Sequence, residues 1–233
     1  MSCLLHIETS TGTCSVALSA GGETLFERVS PRVLSHAALL GVYIEEALEL
    51  MRQKGLHPEA IAVSSGPGSY TGLRIGVSLA KGLCFGYAIP LIGVPTLEIL
   101  ASRAIAQISA EDDSLYCAML DARRMEVYAA LFNRERQVVR GTMAEEVTPA
   151  SYASFLTRGK VYFLGNGAEK CKAVLSSPHA VFVDDLHPLA VDMIPIAEEL
   201  FRAGRFEDTA YFEPFYLKEF RATVARNKVL ASL

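Results

Sequence analysis

Residues 66–74 read GPGSYTGLR, three glycines and a proline between an apolar run and the start of a helix. Such a loop can offer unsatisfied backbone N–H groups to an anion, and the helix dipole favours negative charge there. Gly66, Gly68 and Gly72 permit positive φ and close approach, and Arg74 would add charge. The spacing is not that of a phosphate loop, since no Gly-Lys-Ser/Thr follows, nor is it G-x-G-x-x-G. A tight connection that lets the helix pack near its strand accounts for the same residues, so both readings stand at this point.

Other chemistry is sought among the histidines His6, His36, His57, His179 and His187. No two are four residues apart, H-E-x-x-H is absent, and no G-x-S-x-G occurs. The residues therefore give no helical zinc pair and no nucleophile elbow. Asp121, in LDARRMEVY, follows an apolar run and could reach a ligand. It could equally cap its own turn and pair with Arg123 or Arg124. GNGA, residues 165–168, is a second strand–glycine–helix junction with the same two readings.

The elements that would position these residues read in order along the chain. CLLHIE, CSVALSA and ETLFERV are three successive strands, with STGT and Gly21-Gly22 as their turns. That opening excludes a simple Rossmann start. Ser35 can cap a helix from about His36 to Lys54, and AIAVSS forms the strand before the glycine loop. A helix to about Gly86, the strand IPLIGV and a helix from Pro95-Thr96 to about Ile108 follow. AEDDS, residues 110–114, is a charged break.

The pattern then restarts with the strands LYCAMLDA, MEVYAALF and QVVRGTM. A helix near residues 151–157, the strand KVYFLG, a helix over 168–175 and the strand AVFV come next. A last helix, AVDMIPIAEELFRAG, is interrupted by Pro195. The repeated plan predicts an α/β fold of two actin-like lobes. Residues 1–109 with roughly 189–218 form the first lobe, 110–188 the second, and 219–233 a tail.

Both long helices of the first lobe are unusually apolar. Ala37, Leu40, Ile44, Ala47, Leu48 and Met51 share one helical face. Leu39, Tyr43 and Leu50 widen the apolar surface to about half the cylinder. In the second helix only Arg74, Ser78 and Lys81 mark a polar strip, while Gly72, Gly76 and Ala80 recur every fourth residue. Burial inside the fold explains these patterns; so does an outer surface covered by another subunit.

Composition narrows the class. The 233 residues carry a net charge of −4 with a pI near 5.8, unlike a chain that grips nucleic acid by its phosphates alone. Five scattered cysteines suggest neither a disulfide framework nor a zinc ribbon, and read as reduced cytosolic thiols. The start, MSCLLHIETS, does not read as a signal peptide, and no apolar run is long enough to span a bilayer.

Taken in order, LLHIETSTGTCSVAL, VSSGPGSYTGLRIGVSLAKGL, GVPTLEILA, LDARRMEVYAALF and EPFYLKE resemble the bacterial TsaB (YeaZ) family, from residue 4 to about 218. The resemblance implies an actin-like ASKHA fold in the cytoplasm. It implies a non-catalytic part in placing threonylcarbamoyl on adenosine 37 of tRNAs that read codons beginning with A. The partners implied are a catalytic, metal-holding paralogue of the TsaD kind, an ATPase of the TsaE kind, a second copy of the chain, and tRNA indirectly.

The surface implied for those contacts comprises Leu39, Val42, Tyr43, Leu50, Gly76, Leu79, Ala80 and Leu83. His36 matches the single histidine of the family. No catalytic residue and no metal site are implied. Candidate nucleotide contacts are Glu8, Thr9 and Ser10 with Gly66 and Gly68, although Glu8 stands where the family has Asp. The longer side chain argues against autonomous ATP use and leaves ATP or ADP a place at the partner boundary. The alternative is an enzyme in its own right, an ATP-dependent phosphotransferase or a glycoprotease-like metallopeptidase. Direct tRNA contact through Arg123, Arg124, Arg221 and Arg226 is a third possibility.

Overall fold

The first two strands are buried at every residue, so their sheet is covered on both faces. In the computed structural model, which describes residues 2–30, 36–110 and 113–217, β1 (Cys3–Glu8) pairs antiparallel with β2 (Ser15–Ala20). β2 in turn pairs antiparallel with β3 (Glu23–Val29). β4 (Ala60–Gly66) adds parallel to β1, and β5 (Leu91–Pro95) parallel to β4, giving the order β3-β2-β1-β4-β5.

The second sheet repeats this plan. β6 (Leu115–Asp121), β7 (Glu126–Phe132) and β8 (Val138–Glu146) are antiparallel neighbours. β9 (Val161–Leu164) and β10 (Ala180–Val183) run parallel to β6, in the order β10-β9-β6-β7-β8. The two five-stranded sheets are copies of one topology, as the restart after residue 114 predicts.

Helices α1 (His36–Gln53) and α2 (Tyr70–Tyr87) cover one face of the first sheet. Leu40, Ile44, Ala47, Val77, Ala80 and Cys84 meet Leu5, Ile7, Val16, Ile61 and Val63 there. The opposite face, with Leu4, Ala60, Ala62, Ile92 and Val94, packs Ile99 of α3 (Thr96–Gln107) and Met193, Ile196 and Ala197. Leu97, Leu100, Ala101 and Ala104 of the same α3 pack on Tyr116, Ala118, Leu120, Ala130 and Phe132 of the second sheet. α3 is thus shared by both sheets, whereas the sequence pattern assigns it to the first lobe alone. The far face of the second sheet carries α4 (Ala153–Leu156), with Leu156 and Tyr152 against Phe163.

Two helices differ from expectation. Residues 168–175 form only a 3₁₀ turn, Glu169–Cys171, closed by Cys171 N–H to Ala168 O and Lys172 N–H to Glu169 O. Eight residues sustain an α-helix poorly without tertiary support along their length. Pro195 does not interrupt the last helix but begins it. A 3₁₀ turn, Ala190–Met193, leads into α5 (Ile194–Arg202) with the proline in its first turn, where its missing N–H costs nothing.

After α5 the chain returns along α2. Glu207 N–H bonds Leu91 O at 2.9 Å, and Lys81 Nζ donates to Ala210 O and Phe212 O at 3.0 and 3.1 Å. Phe215 N–H reaches Ser65 O at 2.7 Å, and Tyr216 sits 4.9 Å from Tyr70, ring to ring. This strap, which includes most of EPFYLKE, fastens the β4–α2 junction. All five cysteines are buried, with their thiols pushed above the usual range by desolvation. Ser35, the side chain of His36, and Arg221 and Arg226 lie outside the described residues.

Candidate functional site

The glycine loop closes on the chain itself. Ser69 caps α2, its side chain accepting from Gly72 N–H at 3.2 Å, and Ser69 N–H donates to Ser10 O at 2.6 Å. A Cβ on Gly68 would lie 2.4 Å from Ser10 O, one on Gly72 2.1 Å from Thr9 O, and one on Gly76 2.2 Å from Thr9 Oγ1. A Cβ on Gly66, whose φ is +105°, would lie 2.7 Å from Phe215 O. The glycines admit the β1–β2 turn on one side and the strap on the other.

The Ser69 N–H is taken up by the Ser10 carbonyl. Gly66 and Gly68, expected as nucleotide contacts, lie against the backbone carbonyls of Phe215 and Ser10. This is the close approach that the packing reading of the loop calls for.

Glu8 ends β1 and is wholly buried. Its Oε1 accepts from Ser10 N–H at 2.6 Å and from Ser10 Oγ at 2.5 Å, while Oε2 has no partner among the described residues. Desolvation pushes the carboxyl up to about 7, against the pull of the Ser10 hydrogen bonds. The carboxyl is thus about half-protonated near neutral pH. His6, two residues earlier on the same face, shares a hydrogen bond of 2.8 Å with Ser19 Oγ, and burial lowers it to about 3. Among the described residues no three His, Cys, Asp or Glu side chains converge as a metal site.

The expected partner surface divides in two. Gly76 and Ala80 face inward: Gly76 rests on Thr9, and Ala80 is wholly buried against the first sheet. Placing them on an outer face is corrected by this packing; the backbone they admit belongs to the same chain. Leu39, Tyr43, Leu50, Leu79 and Leu83 are half-buried, and Val42 is 51% exposed.

Phe85, absent from the expected surface, is 88% exposed, and Tyr87 is also exposed. The signal was present in the sequence. Phe85 follows Arg74 by eleven residues and so returns to within about 20° of the same helical stripe. An aromatic residue on the stripe of Arg74 and Ser78 has no core to enter.

Asp121 sits at the exposed end of β6. Its Oδ1 accepts from Arg123 N–H at 3.0 Å, so it caps the turn, but its charge pairs with Lys170 and not with either arginine. Gly165 and Gly167 let the loop after β9 abut Met119 and Leu120, and Asn166 Oδ1 accepts from Asp121 N–H at 2.9 Å. That second glycine junction is likewise a packing joint.

Two sheets of one duplicated topology match known proteins over almost their whole length. The family described as TsaD, tRNA N6-adenosine threonylcarbamoyltransferase, matches residues 29–225. The tRNA threonylcarbamoyladenosine biosynthesis protein TsaB of Escherichia coli (strain K12) is 32% identical over 222 residues, covering 92% of this chain and 94% of that protein.

The chain belongs to the TsaB (YeaZ) family. TsaB of Haemophilus influenzae is 36% identical over 137 residues, 57% of this chain and 55% of that protein. The solved YeaZ from Pseudomonas aeruginosa superposes with a TM-score of 0.77 at 28% identity, over 93% of this chain and 100% of that one. The TsaB fold is α/β and actin-like, as the sequence resemblance implies. No helix of the described residues is long and apolar enough to cross a membrane.

Proposed function

We propose that this chain is a non-catalytic subunit of tRNA threonylcarbamoyladenosine biosynthesis. It works in the cytoplasm by binding and activating a TsaD-type catalytic paralogue together with a TsaE-type ATPase. The observation that carries this is the exposed apolar surface of α1 and α2, with Phe85 88% and Val42 51% exposed on helices whose other faces are fully packed. Bare aromatic and aliphatic side chains on a rigid helix are the usual anchors of a protein interface. A second copy of the chain competes for the same surface. Any ATP or ADP is placed at the boundary with the paralogue.

The test is a reconstitution from this chain, the two partners and tRNA, leaving out each component in turn. Phe85→Glu with Val42→Glu should abolish co-purification with the paralogue and stop modification, with the melting temperature unchanged. Retained association would overturn the reading. Tight binding of Mg-ATP by the isolated chain would instead favour a phosphotransferase, and turnover without the partners would show an enzyme.

A further inference from the structure

The β6–β7 hairpin places two arginines where backbone geometry resists them. Arg123 and Arg124 are consecutive, exposed, and in the left-handed region with φ of 73° and 51°. Hairpins normally give such positions to Asn or Gly. The strain is held by a fixed frame. Asp121 Oδ1 accepts Arg123 N–H at 3.0 Å, Ala122 N–H bonds Glu126 O at 3.0 Å, and Lys170 Nζ donates to Glu126 O at 2.7 Å.

Asp121, at the start of the turn, pairs with Lys170 and with neither guanidinium group. Several arginines of this acidic chain are paired, Arg28 with Glu46, Arg103 with Asp192, Arg136 with Glu199 and Arg140 with Glu145, while Arg158 and Arg202 on ordinary backbone are not, among the described residues. Arg123 and Arg124 have no side-chain partner among the described residues. A turn strained to carry two uncompensated forks, on a rigid hairpin, suits an anionic partner.

We propose that Arg123 and Arg124 bind the phosphate backbone of the tRNA substrate. This rests on the function proposed above, which supplies RNA as the polyanion. A chain of net charge −4 has no general attraction for RNA, so contact must be local and preorganised. Phosphate contacts of this kind fix register and carry no sequence information.

The experiment measures retention of a labelled tRNA transcript by the full complex, as salt rises from about 50 to 200 mM. R123G/R124G removes the charge and relieves the strain, so the chain should melt at the same temperature or higher. Affinity should fall about tenfold and the log–log salt slope should flatten by about 1 to 2. R123K/R124K should keep most of both.

Unchanged affinity and slope in the glycine variant would overturn the proposal. So would loss of co-purification with the paralogue, which would make the turn a contact for an acidic protein surface. If the wild-type chain forms no complex, the assembly reading fails by itself. The same comparison is then run on the isolated chain at low salt: a tenfold loss supports the proposal, and no wild-type binding overturns it.

Discussion

Glu8 and His6 are both wholly buried on one face of β1, and they titrate in opposite senses. The carboxyl of Glu8 moves from 4.5 up to about 7 on folding, so its stability contribution is complete below about 4.5 and is lost as pH rises through 7. Asp192, raised to about 6 chiefly by burial, acts in the same sense. His6 falls from 6.5 to about 3, so its contribution is complete above 6.5 and is lost as pH falls toward 3. The terms oppose each other between about 4.5 and 6.5, and above that Glu8 acts alone. Glu8→Gln should therefore stabilise the chain at pH 8 by about 1–3 kcal/mol and flatten the loss between pH 6.5 and 8. Urea midpoints at the two pH values check this; an equal or lower midpoint for the variant at pH 8 would refute it. The sequence marks Glu8 as an acid at a strand end, and only the family resemblance makes it a candidate nucleotide contact. Its burial involves the Ala190–Met193 turn, whose Asp192 acts on it from far along the chain, and no local pattern carries that.

The helix elements were largely legible, because periodicity and Gly/Pro punctuation are local. What was not legible is the direction in which a small-residue stripe points. Gly72, Gly76 and Ala80 show that something approaches α2 closely, and the spacing is the same whether that is a partner or the chain's own β1–β2 turn. Paired substitutions separate the cases. Gly72→Ala would place its Cβ 2.1 Å from Thr9 O, a backbone atom, and should cost about 1–3 kcal/mol. Gly82→Ala has nothing within 4 Å and should stabilise α2 by up to about 1 kcal/mol. Thermal melts of the two single variants decide it, and equal effects would show that the joint at Thr9 yields. The 3₁₀ turn at Glu169–Cys171 shows the converse limit. Its residues favour helix, yet the segment is too short for propensity to win.

At the scale of the molecule, the duplicated sheets follow from the repeated strand pattern, but the seam between them does not. α3 lies after β5 in sequence and still buries Leu97, Leu100 and Ala104 against the second sheet. The charged break at residues 110–114 marks a covalent passage and not the edge of packing. Leu100→Ala should therefore cost about 2–5 kcal/mol and lower both lobes in one transition. Two separated transitions in calorimetry would contradict the shared helix. The buried thiols carry one more consequence. While the chain stays folded, oxidants and electrophiles find no exposed thiol to attack. Once it unfolds, five reactive groups appear together, and covalent scrambling can make the loss of structure permanent.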